Sequence, residues 1–209
     1  MPRIKFALAI VMSALALAAC SQKQAASSGG SSGPLPDDMS LGNPNAKVQV
    51  IEYASVGCPV CDKWQLEVWP AFKAKYVDTG KVHYTFREML VGGGPEVTVA
   101  ASGFLLARCA GKDKYFSVVD EIFTNQQQAF ADPRGTLETI AKSMGMTEDQ
   151  FNKCVSDEKA IQALNDRVER NAKNNHVDST PTFVINGHML TPGYHTLAEM
   201  DAAIKAAGG

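Results

Sequence analysis

Cys58-Pro59-Val60-Cys61 lies between two segments of opposite character. Ahead of it, Val48-Gln49-Val50-Ile51-Glu52-Tyr53-Ala54 is rich in β-branched residues with polar ones interposed, and predicts a strand. Behind it, residues 62–69 (DKWQLEVW) predict a helix. Cys58 is therefore expected at a strand-to-helix turn, where unpaired N–H groups and the helix dipole favour a negative charge. A thiolate is such a charge, and it is the reactive form of cysteine. Positions three apart share one face of a helix, so the two sulfurs can close a short disulfide.

Other uses of the pair fit less well. A zinc site needs two more ligands at characteristic spacing. Cys109 and Cys154 are single, and His83, His176, His188 and His195 show no ligand pattern. A bridge across so short a loop gives little chain-entropy stabilisation, which argues against a purely structural disulfide. The reading is a redox-active dithiol with no metal and no cofactor beyond the Cys58–Cys61 disulfide itself.

The 209 residues are long enough for one domain with an insertion. The net charge is −2 and the Lys and Arg residues are scattered, so no basic surface for nucleic acid is expected. At the N-terminus, Arg3 and Lys5 precede an apolar run over 6–17 broken by Ser13, the pattern of an export signal and too short for a comfortable membrane span. The run ends in Leu17-Ala18-Ala19-Cys20, which resembles the lipobox of bacterial lipoproteins. That resemblance implies cleavage before Cys20 and lipid on its thiol; two or more acyl chains would hold the chain stably on a membrane. A plain secretory signal is the alternative. Ser21, where an aspartate would retain the protein at the inner membrane, implies by the same analogy the outer membrane, facing the periplasm. Residues 22–33, mostly Ser, Gly, Ala and Gln, read as a flexible tether. The expected organisation is a signal at 1–19, a tether at 20–40 and a folded domain at 41–209.

Within that domain, residues 41–46 (LGNPNA) read as a turn. The helix after the CxxC is expected to run to about residue 77, with a kink at Pro70. Residues 81–90 alternate Val82, Tyr84 and Phe86 with polar positions and predict a second strand, parallel to the first through a right-handed crossover. A helical block follows: 97–109, 115–130 as one helix, 136–144, 147–155 with a Thr147–Gln150 capping box, and 158–175. Thr182-Phe183-Val184-Ile185 then runs into Asn186-Gly187, a hairpin signal, with 188–190 as partner strand. A closing helix is expected from Thr196, its N-cap, to about 207.

The order βαβ, helices, ββα is similar to the thioredoxin fold, and an insertion at about 95–176 makes it resemble the DsbA-type branch. Three stretches carry the likeness: Glu52 to Cys61 (EYASVGCPVC), Ser179 to Gly187 (STPTFVING) and the lead-in at 41–46. The resemblance implies an α/β thioredoxin fold and thiol–disulfide exchange on protein cysteines. It also implies a cis bond before Pro181, which would expose backbone groups beside Cys58 to an extended substrate. Cys58 is then the exposed nucleophile and Cys61 the resolving thiol. Pro59, Val60 and Thr180 are expected at the substrate surface. Glu52, on a buried strand, is either a proton carrier for Cys61 or an acid satisfied by Lys63 or Tyr53. Val60 departs from the oxidising branch, which commonly has histidine there, and this leaves the direction of electron flow open.

Cys109 and Cys154 are expected to form a structural disulfide, two buried free thiols being the alternative. The expected partners are cysteine-containing exported proteins, a membrane redox partner and, through the lipid on Cys20, the membrane; no segment for dimerisation precedes the domain, so a monomer is expected. An oxidase that forms disulfides leads, with a reductase or isomerase close behind. A Cu(I) carrier using the two thiols, with His188 and Met189 near the Pro181 loop, is a second class. An inactive peptide-holding chaperone is a third.

Overall fold

β2 (Val48–Ala54) is buried along nearly its whole length because it is the middle strand of a five-stranded sheet ordered β1-β3-β2-β4-β5. The computed structural model describes residue 1 and residues 33–209, without the side chains of Asn174 and Asn175. Cys20, the signal segment and most of the tether lie outside the described residues. β2 pairs in parallel with β3 (Val82–Glu88) and antiparallel with β4 (Thr182–Ile185), which turns into β5 (His188–Met189). The turn holds Asn186 and Gly187 at φ 46° and 84°, the left-handed pair that a two-residue hairpin loop requires.

The lead-in is one place where the expectation fails. Residues 41–46 were expected to be turn, but Leu41 and Gly42 belong to β1 (Met39–Gly42), which runs antiparallel along β3. β3 is the reason. Both of its faces are buried, and the polar one is closed by hydrogen bonds: Thr85 with Ser40 of β1 at 2.9 Å, His83 with Gln49 at 2.7 Å, and Arg87 with Asp38 and the Tyr53 hydroxyl.

Alternation along β2 sends Val50, Glu52 and Ala54 to one face of the sheet and Ile51 and Tyr53 to the other. The first face carries the CxxC helix α1 (Pro59–Glu67), followed by α2 (Trp69–Phe72) and a π-helical turn (Lys73–Val77). The expected break falls at Val68, two residues ahead of Pro70, because proline fits only the first turn of the new helix. Trp64 of α1 is fully buried against Phe183 of β4, ring centres 4.7 Å apart, and against Trp69 and Phe72. This aromatic contact fixes α1 over the strand that follows Pro181.

Six helices lie between β3 and β4: α3 (Pro95–Cys109), α4 (Lys112–Thr124), α5 (Gln126–Ala131), α6 (Pro133–Ser143), α7 (Glu148–Ser156) and α8 (Glu158–Asn175). The single helix expected over 115–130 is two. Asn125 caps its own chain by donating to the Glu121 carbonyl, a side-chain bond that competes with helix continuation. Thr147 and Gln150 form the capping box at α7, and α9 (Leu197–Ala206) closes the fold with Thr196 and Glu199 in another. Glu88, at the end of β3, ties the helices to the sheet. Its carboxylate accepts from Arg108 of α3 at 2.6 Å, Arg167 of α8 at 2.7 Å and the Tyr115 hydroxyl of α4 at 3.1 Å. The result is a thioredoxin fold with helices inserted between its βαβ and ββα halves. Among the described residues no helix is long and apolar enough to cross a membrane.

Candidate active site

Where β2 ends, the chain turns through Ser55-Val56-Gly57 into α1, and Cys58 is the N-cap, with extended backbone (φ −94°, ψ 119°). Its N–H donates to Ser55 O at 3.0 Å and its carbonyl accepts from Asp62 N–H at 3.0 Å. Pro59 takes the first helical position, where its missing N–H leaves no unmet donor. Pro59 and Val60 are exposed, while Cys61, one turn in, is fully buried. Cys58 was expected to be exposed, and the structure corrects this: it is 7% accessible. The segment around Pro181 covers it. The Thr180–Pro181 bond is cis, Pro181 is buried, and the Thr180 carbonyl accepts from the Cys58 thiol at 3.5 Å.

The electrostatics separates the two thiols. A hydrogen bond from Cys61 brings the Cys58 thiol down to about 6; Thr180 and the backbone N–H groups of Cys61 and Val60 add to it, against the opposing effect of burial. Burial pushes Cys61 well above the usual thiol range, and the Cys58 and Glu52 charges push it further. One sulfur is thus an anion at neutral pH and its neighbour a proton donor to it.

Glu52 lies under this pair on β2. Burial, with the Cys58 charge adding to it, raises its carboxyl to about 8, so it is protonated at neutral pH. Neither Lys63 nor Tyr53, the partners expected, satisfies it. Lys63 lies over the Tyr194 ring, and Tyr53 accepts from Arg87. The partner is Tyr84 of β3, whose hydroxyl donates to Glu52 Oε2 at 2.5 Å. Asp62, in the first turn of α1, is also raised, first by burial and then by the Cys58 charge, and its Oδ1 is buried without a hydrogen bond.

Two residues that the sequence reading passed over hold the turn. A Cβ on Gly57 would lie 2.1 Å from the Glu96 carbonyl oxygen, so only glycine lets the start of α3 pack against the turn. Buried Gln126 of α5 donates to Val56 O at 2.9 Å and Cys58 O at 3.2 Å. A glycine before a CxxC is visible in sequence; a glutamine 68 positions away carries no local signal.

The remaining expected residues lie elsewhere. Cys109 and Cys154 are disulfide-bonded, Cα–Cα 5.9 Å, at the end of α3 opposite the one that touches Gly57. His188 and Met189 are exposed on the edge strand β5. Among the described residues, no group of three or more His, Cys, Asp or Glu side chains is placed to hold a metal ion.

A thiol at the helix N-cap position, a buried partner thiol one turn in and a cis-proline segment against the first define a thioredoxin-fold dithiol protein. The thioredoxin family's sequence profile matches residues 35–206, and the chain belongs to that family. Its structure is DsbA-like: it is similar to alpha-DsbA1 of Wolbachia pipientis with a TM-score of 0.75 and 27% identity, covering 84% of this chain and 94% of that one. A Rickettsia bellii protein named as a protein-disulfide oxidoreductase is 33% identical over 174 residues, 82% of this chain and 64% of that protein. The chain thus spans less than two thirds of that relative's length. A Bacillus cereus protein named for disulfide bond formation is 27% identical over 171 residues, 79% of this chain and 78% of that one.

Proposed function

We propose that this protein is an exported thiol–disulfide oxidoreductase that forms disulfides in exported proteins. Cys58 is the nucleophile and Cys61 the resolving thiol. In the oxidised protein, a client thiolate attacks Cys58 Sγ; the Cys58–Cys61 bond breaks and a mixed disulfide forms. A second client thiolate then attacks the client sulfur and releases Cys58 as the thiolate. The observation that carries the reading is the asymmetry of the pair: Cys58 down to about 6 at a helix N-terminus, Cys61 fully buried with its thiol raised. A stabilised thiolate favours the reduced enzyme, which is what a disulfide donor needs. Glu52, buried with its carboxyl raised to about 8 and its charge felt by Cys61, is in this reading the proton carrier for Cys61.

The membrane side of the proposal rests on sequence. Lipid on Cys20 would hold the domain on the periplasmic side of a bacterial membrane, outer rather than inner, as a monomer, within reach of a membrane redox partner that reoxidises it. The relatives' names, given for protein-disulfide oxidoreductase and disulfide bond formation, support the chemistry. Equilibration with glutathione tests the direction: a potential well above that of thioredoxin supports the oxidase, and a thioredoxin-like value makes this a reductase. Cys61→Ala should accumulate clients as mixed disulfides on Cys58.

A further inference from the structure

A second pair of cysteines, Cys109 and Cys154, is joined at the far end of α3. The Cys109–Cys154 disulfide borders an open cavity of about 560 Å³, a volume in the range of small-ligand sites. Its two sulfurs are unequal: Cys109 is an exposed residue at the end of α3, whereas Cys154 of α7 is 7% accessible. Leu105, Met144 and Met146 line the apolar part.

Four lining residues, Arg108, Lys114, Lys153 and Arg167, are cationic in a chain whose net charge is −2. Arg108 and Arg167 share one carboxylate, that of Glu88. Lys114 donates to the Met144 carbonyl at 2.7 Å rather than to an acid, and Lys153 has no ion pair among the described residues. Asp157 is the acid in the lining, and its side chain caps α8 by accepting from Ala160 N–H. Four cations therefore face two carboxylates, Glu88 and Asp157. An exposed disulfide is open to exchange, and a cationic wall both concentrates an anionic attacker and stabilises a departing thiolate.

We propose that this cavity is a binding and exchange site for a low-molecular-weight anionic thiol, acting on the Cys109–Cys154 disulfide independently of Cys58. The small thiolate attacks Cys109 Sγ, a bond forms between the two sulfurs, and the Cys109–Cys154 bond breaks. The electron pair leaves on Cys154 Sγ, which takes a proton from water. One thiol and one disulfide become one mixed disulfide and one thiol, so no other oxidant or reductant enters. The exposed sulfur is the one capped and the buried one is the leaving group.

The test uses the full chain carrying Cys58→Ser and Cys61→Ser, which silences the proposed catalytic pair and keeps the two readings separate. Glutathione (anionic), 2-mercaptoethanol (neutral) and cysteamine (cationic) are compared at equal thiolate concentration, and adducts are mapped by mass spectrometry. The expected result is an adduct on Cys109, formed by glutathione at least about tenfold faster than by cysteamine. Lys114→Gln with Lys153→Gln, both at exposed positions, should bring the two rates to within about twofold. Capping of Cys154, rates independent of thiol charge, a preference untouched by the lysine changes, or a disulfide that resists thiols opening an unstructured peptide disulfide would each overturn the proposal.

Discussion

The Sγ of Cys58 and the carbonyl oxygen of Thr180 lie 3.5 Å apart across 122 positions of sequence. A carbonyl can accept from the thiol but has nothing to give the thiolate. The groups that hold the anion are the Cys61 thiol, the Thr180 side chain and the N–H groups of Cys61 and Val60. Deprotonation therefore frees the Thr180 carbonyl beside the nucleophile, where an incoming backbone N–H can take it. The neighbours that raise or lower the Cys58 thiol thus also decide when that acceptor is open.

Val60 is 42% exposed in the middle of the CxxC and contributes no charge. Val60→His should lower the Cys58 thiol by about one further unit, since a nearby cation favours the thiolate, and should make the disulfide more oxidising. Thiolate absorbance near 240 nm against pH, with the potential measured against glutathione, checks both. An unchanged titration would mean that position 60 does not set the redox poise.

Glu52 gives a pH signature of definite sign. Its carboxyl is raised from 4.5 to about 8 on folding, so between those values the native state keeps a proton that the unfolded chain has lost. Stability from this group is fully present below 4.5 and falls as pH rises towards 8, at up to about 1.4 kcal/mol per pH unit. Glu52→Gln keeps an acceptor for Tyr84 and cannot ionise, so reduced Glu52→Gln protein should gain stability over wild type steadily from pH 4.5 to 8. Urea unfolding at several pH values measures the difference. Parallel curves would show that the carboxyl ionises normally.

Gly57→Ala forces a methyl group to within 2.1 Å of the Glu96 carbonyl, a backbone atom that can yield only if the start of α3 moves. The expected cost is about 1–3 kcal/mol, with altered alkylation of Cys58 because the turn and the helix shift together. Thermal unfolding and iodoacetamide kinetics report the two effects, and a variant of wild-type stability would remove the steric role.

Gln126→Ala strips the Val56 carbonyl of its side-chain donor inside the protein, while Cys58 O keeps the Asp62 N–H. A loss of about 1–3 kcal/mol is expected for the buried carbonyl left unpaired. Hydrogen exchange should quicken in residues 55–58 more than in the distant α8. A uniform change across the chain would mean that Gln126 stabilises the fold without specially holding the turn.

Local chemistry made much of this readable in advance. β-Branched runs gave β2, β3 and β4; Asn186-Gly187 gave the hairpin; Thr147 and Thr196 gave the caps of α7 and α9. Each is a short-range rule of sterics or hydrogen bonding, so neighbouring residues suffice to state it. β1 escaped because Met39–Gly42 is a strand only against β3, whose Phe86 and Thr85 pair with Met39 and Ser40. The split at Asn125 escaped because apolar spacing continues through it.

The sequence by itself determined where the two thiols sit, because a CxxC after a strand and before a helix places one sulfur at the positive end of the helix and the other one turn inside. Tertiary structure alone decided how that sulfur is held. Thr180, Tyr84 and Gln126 reach the site from the bend before β4, from β3 and from α5, and long-range packing such as Trp64 on Phe183 brings them there. No local pattern encodes such a meeting, because it follows from burying aromatic surface common to α1 and β4, not from the character of either segment.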